Sequence, residues 1–319
     1  MSGSLRVLLA IFIISFLNQS IAQEEIGALC VDSLYCIPSV EGRLKPKGVL
    51  YENEFGLVKI KTDEKEIKTI NHLTTYKLKL PIINRDDLRL AFGLFYFKED
   101  YRDITDTSSS IAEALDIGHR DFDSYGFNTY ILKPYIGDKY LSIRTSISVA
   151  GPLQGAIDQY LKYSVTALLG RKKNNRLITG WGGVVRYSMG RYFALPIYYY
   201  IRTYDVHWSL RLQLPVAARL SWTSLNKKNV FLLESKFSGG RYFINYQNKG
   251  GLENGLYSST DMRTTFTYER EIYDFLWINF YTGYKVNILS NVFETESSLR
   301  RGLLAGVSIF MVPPRRFSD

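Results

Sequence analysis

The sequence contains only two cysteines, Cys30 and Cys36, three histidines and four methionines in 319 residues. Two cysteines cannot staple a scaffold together, and their spacing, with no histidine nearby, does not suit a redox or metal pair. Long apolar runs are missing too. None reaches 18 residues, so no segment reads as a membrane-spanning helix. Amphipathic helical periodicity is almost absent, which leaves no helices to cover a sheet. The formal charge of +9 comes without a basic helix, zinc spacing or aromatic RNA-binding motif, so it does not point to nucleic acid. No G-x-S-x-G nucleophile motif occurs.

Aromatics and short alternating runs are abundant. There are 24 Tyr and 18 Phe, and the mean hydropathy is −0.11. In the stretch VHWSLRLQLPV, Val206, Trp208, Leu210, Leu212, Leu214 and Val216 share one parity, and His207, Ser209, Arg211 and Gln213 share the other. A period of two marks an extended strand with one apolar and one polar face. With no helices to cover that face, the expected cover is lipid. The fold class expected is all-β, a transmembrane up-and-down antiparallel barrel of about 14 strands, or 12, apolar outside and polar inside. A secreted soluble β-sandwich of adhesin type is the alternative, and it needs a partner sheet over every apolar face.

The chain divides into a signal peptide (1–22), an N-terminal segment (23–47), the barrel (48–312) and a tail (313–319). Arg6, the apolar core Val7 to Leu17 and the small residues Ser20 and Ala22 form a secretory leader, with cleavage expected between Ala22 and Gln23. Export to an oxidising compartment makes a Cys30–Cys36 disulfide plausible. The strands expected by parity begin with Val49 to Ile60, Ile70 to Leu80, Leu88 to Lys98, Tyr125 to Leu132 and Leu141 to Val149. They continue with Tyr160 to Leu169, Leu177 to Met189, Tyr192 to Arg202, Val206 to Val216 and Val230 to Phe237. The last are Tyr242 to Tyr246, Met262 to Tyr268, Phe275 to Ile288 and Leu303 to Val312. Short links such as GRKKNNR, RTYD and SGG alternate with longer ones at 99–123, 150–159, 217–229, 247–258 and 289–301, as periplasmic turns alternate with outer loops. The link Glu99 to Asp123 holds eight acidic residues and a capping-box pattern, Ser110 to Glu113, so one short helix is expected there. Asp100, Asp103 and Asp106 lack calcium-loop spacing.

The polar parity collects Arg89, Arg144, Lys162, Arg186, Arg211, Glu234, Lys236, Arg263 and Lys285, which are the expected lumen-facing residues. In an open lumen they would favour anions. In a closed one they would pair with Glu52, Glu54, Glu234 and Glu269. Phe95, Phe97, Tyr130 and Tyr160 fall on the same face and suggest a partly filled interior. His72 lies on the outward parity, His119 in the acidic link and His207 near a tight turn. None sits in a nucleophile motif, so no catalytic, cofactor or metal residue is assigned. A lipid hydrolase built on one of them is the alternative. The function expected is a structural barrel or a narrow passive channel with a basic lumen. Its partners would be outer-membrane lipids, the barrel-assembly machinery, and a small solute or ion, in the outer membrane of a Gram-negative bacterium.

YKLKLPI at Tyr76, the strand pair LPIYYYIRTYDVHWSLRLQLP and GGRYFINY at Gly239 together resemble an uncharacterised outer-membrane β-barrel family, a domain of unknown function, of Bacteroidota. The resemblance covers about Val49 to Val312. It implies an outer-membrane location and no known activity.

Overall fold

The computed structural model describes residues 48–61, 66–84, 87–103, 121–135, 138–151, 160–174, 176–188, 191–248, 251–273, 275–292, 295–296 and 301–312. The leader, Cys30, Cys36, Asp106, the Ser110 to Glu113 pattern and His119 lie outside the described residues. No α-helix occurs among the described residues.

The chain forms β1 (Val49–Lys61), β2 (Glu66–Asn84), β3 (Arg89–Asp103), β4 (Asp121–Tyr135), β5 (Lys139–Ala150), β6 (Leu161–Asn174), β7 (Leu177–Ser188) and β8 (Arg191–Thr203). It continues with β9 (Trp208–Leu214), β10 (Ala217–Thr223), β11 (Asn229–Asn248), β12 (Gly251–Tyr273), β13 (Leu276–Val292), the two-residue β14 (Thr295–Glu296) and β15 (Arg301–Met311). Each wall strand pairs antiparallel with its neighbours, and β1 pairs with β15 from Val49↔Met311 to Lys59↔Arg301, which closes the sheet. β14 is only a rung on the upper end of β13, so the wall is a closed barrel of 14 strands. Closure leaves no second sheet to pack against, and the β-sandwich alternative falls with it. With an even number of wall strands, the chain enters and leaves at one rim, here called the terminal rim. The other is the distal rim.

The expected strand count agrees with the observed one because two errors cancel. Val206 to Val216 holds a single strand, β9, which stops at Leu214; the chain then turns through Pro215 and Val216, and a further strand, β10, runs back where the 217–229 link was expected. The SGG at 238–240 is not a turn, because β11 continues through it with Gly239 opposite Thr260 and Gly240 opposite Ser259. The 247–258 link is also strand, apart from its tip. Asp100 and Asp103 belong to β3 and not to a loop.

The outer face is apolar. Phe55, Leu57, Leu80, Leu94, Val165, Leu169, Trp181, Val185, Phe266, Phe280, Ile288 and Leu303 are all exposed. Aromatic clusters occupy both ends of this face, as the girdles of a bilayer-spanning barrel do. Near the distal rim Tyr163 stacks on Tyr187 at 4.9 Å, and Tyr192 lies 5.0 Å from Tyr187. Near the terminal rim His207 stacks on Trp222 at 5.4 Å, and Phe231 follows at 5.5 Å. The Asp205 carboxylate fixes the turn into β9 by accepting from the His207 and Trp208 amides at 2.7 and 2.6 Å.

Candidate functional site

The candidate site is the inner wall, and the pleat decides what it carries: alternate residues of each strand face the lumen. All nine residues expected there lie on the inner parity, but they fall into two groups with different partners.

On β1 and β10–β13 the charges are paired. Glu54, buried, meets the Arg263 guanidinium, and the Tyr281 hydroxyl donates to the same carboxylate at 2.8 Å. The Arg263 guanidinium also lies 5.6 Å from the Tyr281 ring centre. Tyr281 reaches this position because residue 306 is glycine, where a Cβ would collide with its ring. Glu234 lies between Arg219 Nη2 at 2.7 Å and Lys236 Nζ at 3.1 Å. Asp261 takes Lys285 Nζ at 3.2 Å and a bond from Asn287 Nδ2 at 2.7 Å.

On β2–β9 the inner face carries Lys77, Lys79, Arg89, Arg144, Lys162, Arg186 and Arg211. Among inner-parity side chains described there, Glu99 is the only carboxylate, and it accepts from Asn71 Nδ2 at 2.5 Å. Several of these cations rest on aromatic rings. Lys79 Nζ is 3.9 Å from the Tyr130 ring centre and Arg144 is 5.1 Å from it. Lys77 lies 5.0 Å from Phe97. Arg211 lies 5.5 Å from Tyr199, whose hydroxyl accepts from Arg211 Nη2 at 2.7 Å. A ring face offers a quadrupole but no formal charge, so a cation held there keeps its net field.

Sequence reasoning missed two features of this wall. Arg219 was hidden because β10 was read as a link. Lys77 and Lys79 are absent from the expected set, although their alternation with Tyr76 and Leu78 puts them on the inner parity.

Toward the terminal rim the inner residues become apolar and buried. Leu50, Val230, Leu232, Trp277, Phe310 and Val312 form one cluster, and Ile178, Tyr199 and Ile201, with Tyr140 and Leu168, form another. Tyr140 fits because residue 170 is glycine; any Cβ there would strike its ring. The opposed walls also approach: Cα atoms of β5 and β11 come within 8 Å of each other across the interior. Facing sheets ordinarily stand about 10 Å apart. β5 carries Ser142, Ser146 and Ser148 on its inner parity, small enough for such an approach.

The two described histidines are engaged elsewhere. His72 stacks on Phe55 at 4.6 Å on the outer face. His207 Nδ1 is 2.6 Å from the Thr223 carbonyl, a contact in which the ring nitrogen donates.

No family model and no curated protein sequence matches the chain. Among solved structures it overlaps a mutant of the TodX monoaromatic hydrocarbon channel at TM-score 0.39 and 10% identity, over 83% of this chain and 91% of that one. An outer membrane channel from Pseudomonas putida F1 gives 0.39 and 10%, over 86% and 99%. The translocator domain of the autotransporter NalP from Neisseria meningitidis gives 0.38 and 12%, over 83% and 89%.

Proposed function

We propose that the protein is a narrow passive channel of a Gram-negative outer membrane, without a catalytic step, through which small anions pass more readily than cations. The observation that carries this reading is the asymmetry of the lumen: Arg144 lies over the Tyr130 ring and Arg211 is held by the Tyr199 ring and hydroxyl, with no carboxylate on either among the described residues. Their field is retained in the lumen and focused by its low-dielectric walls. The outer apolar belt with its aromatic girdles supports insertion in lipid. On this reading the partners are membrane lipids and the machinery that inserts barrels. Kinship with the Bacteroidota barrel family is part of the same proposal and rests on the strand motifs near Tyr76, Leu195 and Gly239.

Planar-bilayer conductance of the purified chain tests the reading. Chloride should permeate several-fold better than potassium, and Arg144→Glu should move that preference toward cations. Absence of conductance, or a preference indifferent to Arg144→Glu, would remove the channel. The longer links lie at the distal rim, which on this reading faces outward. Protease added to intact cells should therefore cut between Arg102 and Arg120 and spare Gly170 to Arg176. Cutting at the second site alone would invert the orientation.

A further inference from the structure

The wall is not equally tall all round. β9 and β10 have seven residues each, between β8 with 13 and β11 with 20. The β8–β9 ladder ends at Tyr198↔Leu214. On the other side the last bond runs from the Phe237 amide to the Val216 carbonyl at 2.9 Å. Among the described residues, no strand pairs with this edge of β8 above Tyr198 or with this edge of β11 above Phe237. The wall therefore has a notch above the β9–β10 hairpin.

The notch lies at membrane depth. Trp208 and Trp222 stand opposite one another at the base of the hairpin, where an interfacial girdle belongs. Seven residues rising about 3.4 Å each, tilted about 40°, climb only about 18 Å, against an apolar band about 25 Å tall. The hairpin tip thus ends about 7 Å below the far edge of the band.

The inner lining changes character beside the notch. On β8 the inner parity reads Phe193, Leu195, Ile197, Tyr199 and Ile201, and Val184 on β7 adjoins Leu195. Phe193 is 56% exposed despite its inner parity. The β8 strand carries Pro196, which fits an edge because proline cannot donate to a ladder. A cation flanks this apolar track: Arg186 stands opposite Phe193, while Lys236, beside Phe237, is paired with Glu234. Open strand edges do not survive against hydrocarbon alone, but they are tolerated where they line a watered cavity. The notch is therefore a place where lumen water, a basic wall and bilayer hydrocarbon meet.

We propose that the notch is a lateral portal for an amphipathic monoanion, a compound with one carboxylate or sulfonate head and a long alkyl tail. The head stays with the lumen cations while the tail lies along Phe193 and Leu195, above the buried Ile197, and passes between β8 and β11 into the bilayer. This inference rests on the anion-channel reading above and names its substrate class.

Two measurements on the full chain test it. In the first, a fluorophore on Leu195→Cys is exposed to chain-brominated lipid. Quenching should approach that of the outward Leu212→Cys, while Leu168→Cys, also on the inner parity but behind an intact wall, should show little. No quenching at Leu195→Cys would mean that the notch is covered, and the portal would be withdrawn. In the second, chloride conductance is titrated with decanesulfonate and with ethanesulfonate. Decanesulfonate should block at a concentration at least tenfold below ethanesulfonate, and Leu195→Gln should raise its half-blocking concentration at least tenfold. Equal block by both sulfonates, or indifference to Leu195→Gln, would overturn the portal and leave the anion channel intact. A silent bilayer would instead remove the channel reading and the named substrate with it, while the quenching result would still decide whether the notch opens to lipid.

Discussion

The two halves of the inner wall solve the same problem in different ways. Each places cations on the inner face of the wall. On the β1 and β10–β13 side, Arg263, Arg219 and Lys285 face Glu54, Glu234 and Asp261, so charge is cancelled locally. On the β2–β9 side, Arg144 lies over the Tyr130 ring and Arg211 bonds to Tyr199, so their positions are fixed with no carboxylate on either among the described residues. The first half ties strands together, and on the proposed reading the second supplies the field. The difference shows that an inward basic residue is uninformative until its partner is known.

The largest expected effect of breaking this contrast is at Arg263. Arg263→Met leaves Glu54 buried without its cation, which should cost about 3–5 kcal/mol. The midpoint of unfolding in urea, followed by heat-modifiable mobility in detergent, should fall accordingly. An unchanged midpoint would show that the Glu54 pair does not hold the wall. A smaller effect sharpens the contrast in conduction. Lys79→Gln should lower the chloride-to-potassium permeability ratio about threefold, an energy near 0.7 kcal/mol by the tenfold-per-1.4 kcal/mol relation. If Lys79→Gln had no effect, the ring-held cations would not shape the field. The smallest change is expected at Lys77. Lys77→Met keeps the stem but removes a cation from the Phe97 face, and a partly exposed contact of that kind contributes about 0.5–1 kcal/mol. A loss of several kcal/mol there would place the β2–β9 side among the ion-paired structures after all.

Much of the wall was legible in the sequence because the pleat has a period of two, whatever the strand's neighbours. That is why Glu52 and Glu54 could be separated from Tyr51 and Phe55 without knowing what β1 pairs with. Chain reversals were less legible. Pro215 and Val216 continue the alternation of Leu212 and Leu214, so nothing in the local pattern marks the turn that ends β9. Gly239 and Gly240 look like a turn, yet they lie in a strand because Thr260 and Ser259 are opposite them. Glycine permits a reversal but does not require one, and the partner strand decides.

The sequence by itself determined the fold class and the alternation that divides each strand between the two sides of the wall. These depend on alternation along a single strand, which is a local property of extended backbone. Only the tertiary structure decided which cations meet carboxylates and which meet rings, where the wall is low, and how closely β5 approaches β11. Those depend on register between strands far apart in the chain. Arg263 and Glu54 are 209 residues apart, and no periodicity in either segment specifies that the closing of the barrel will bring them together.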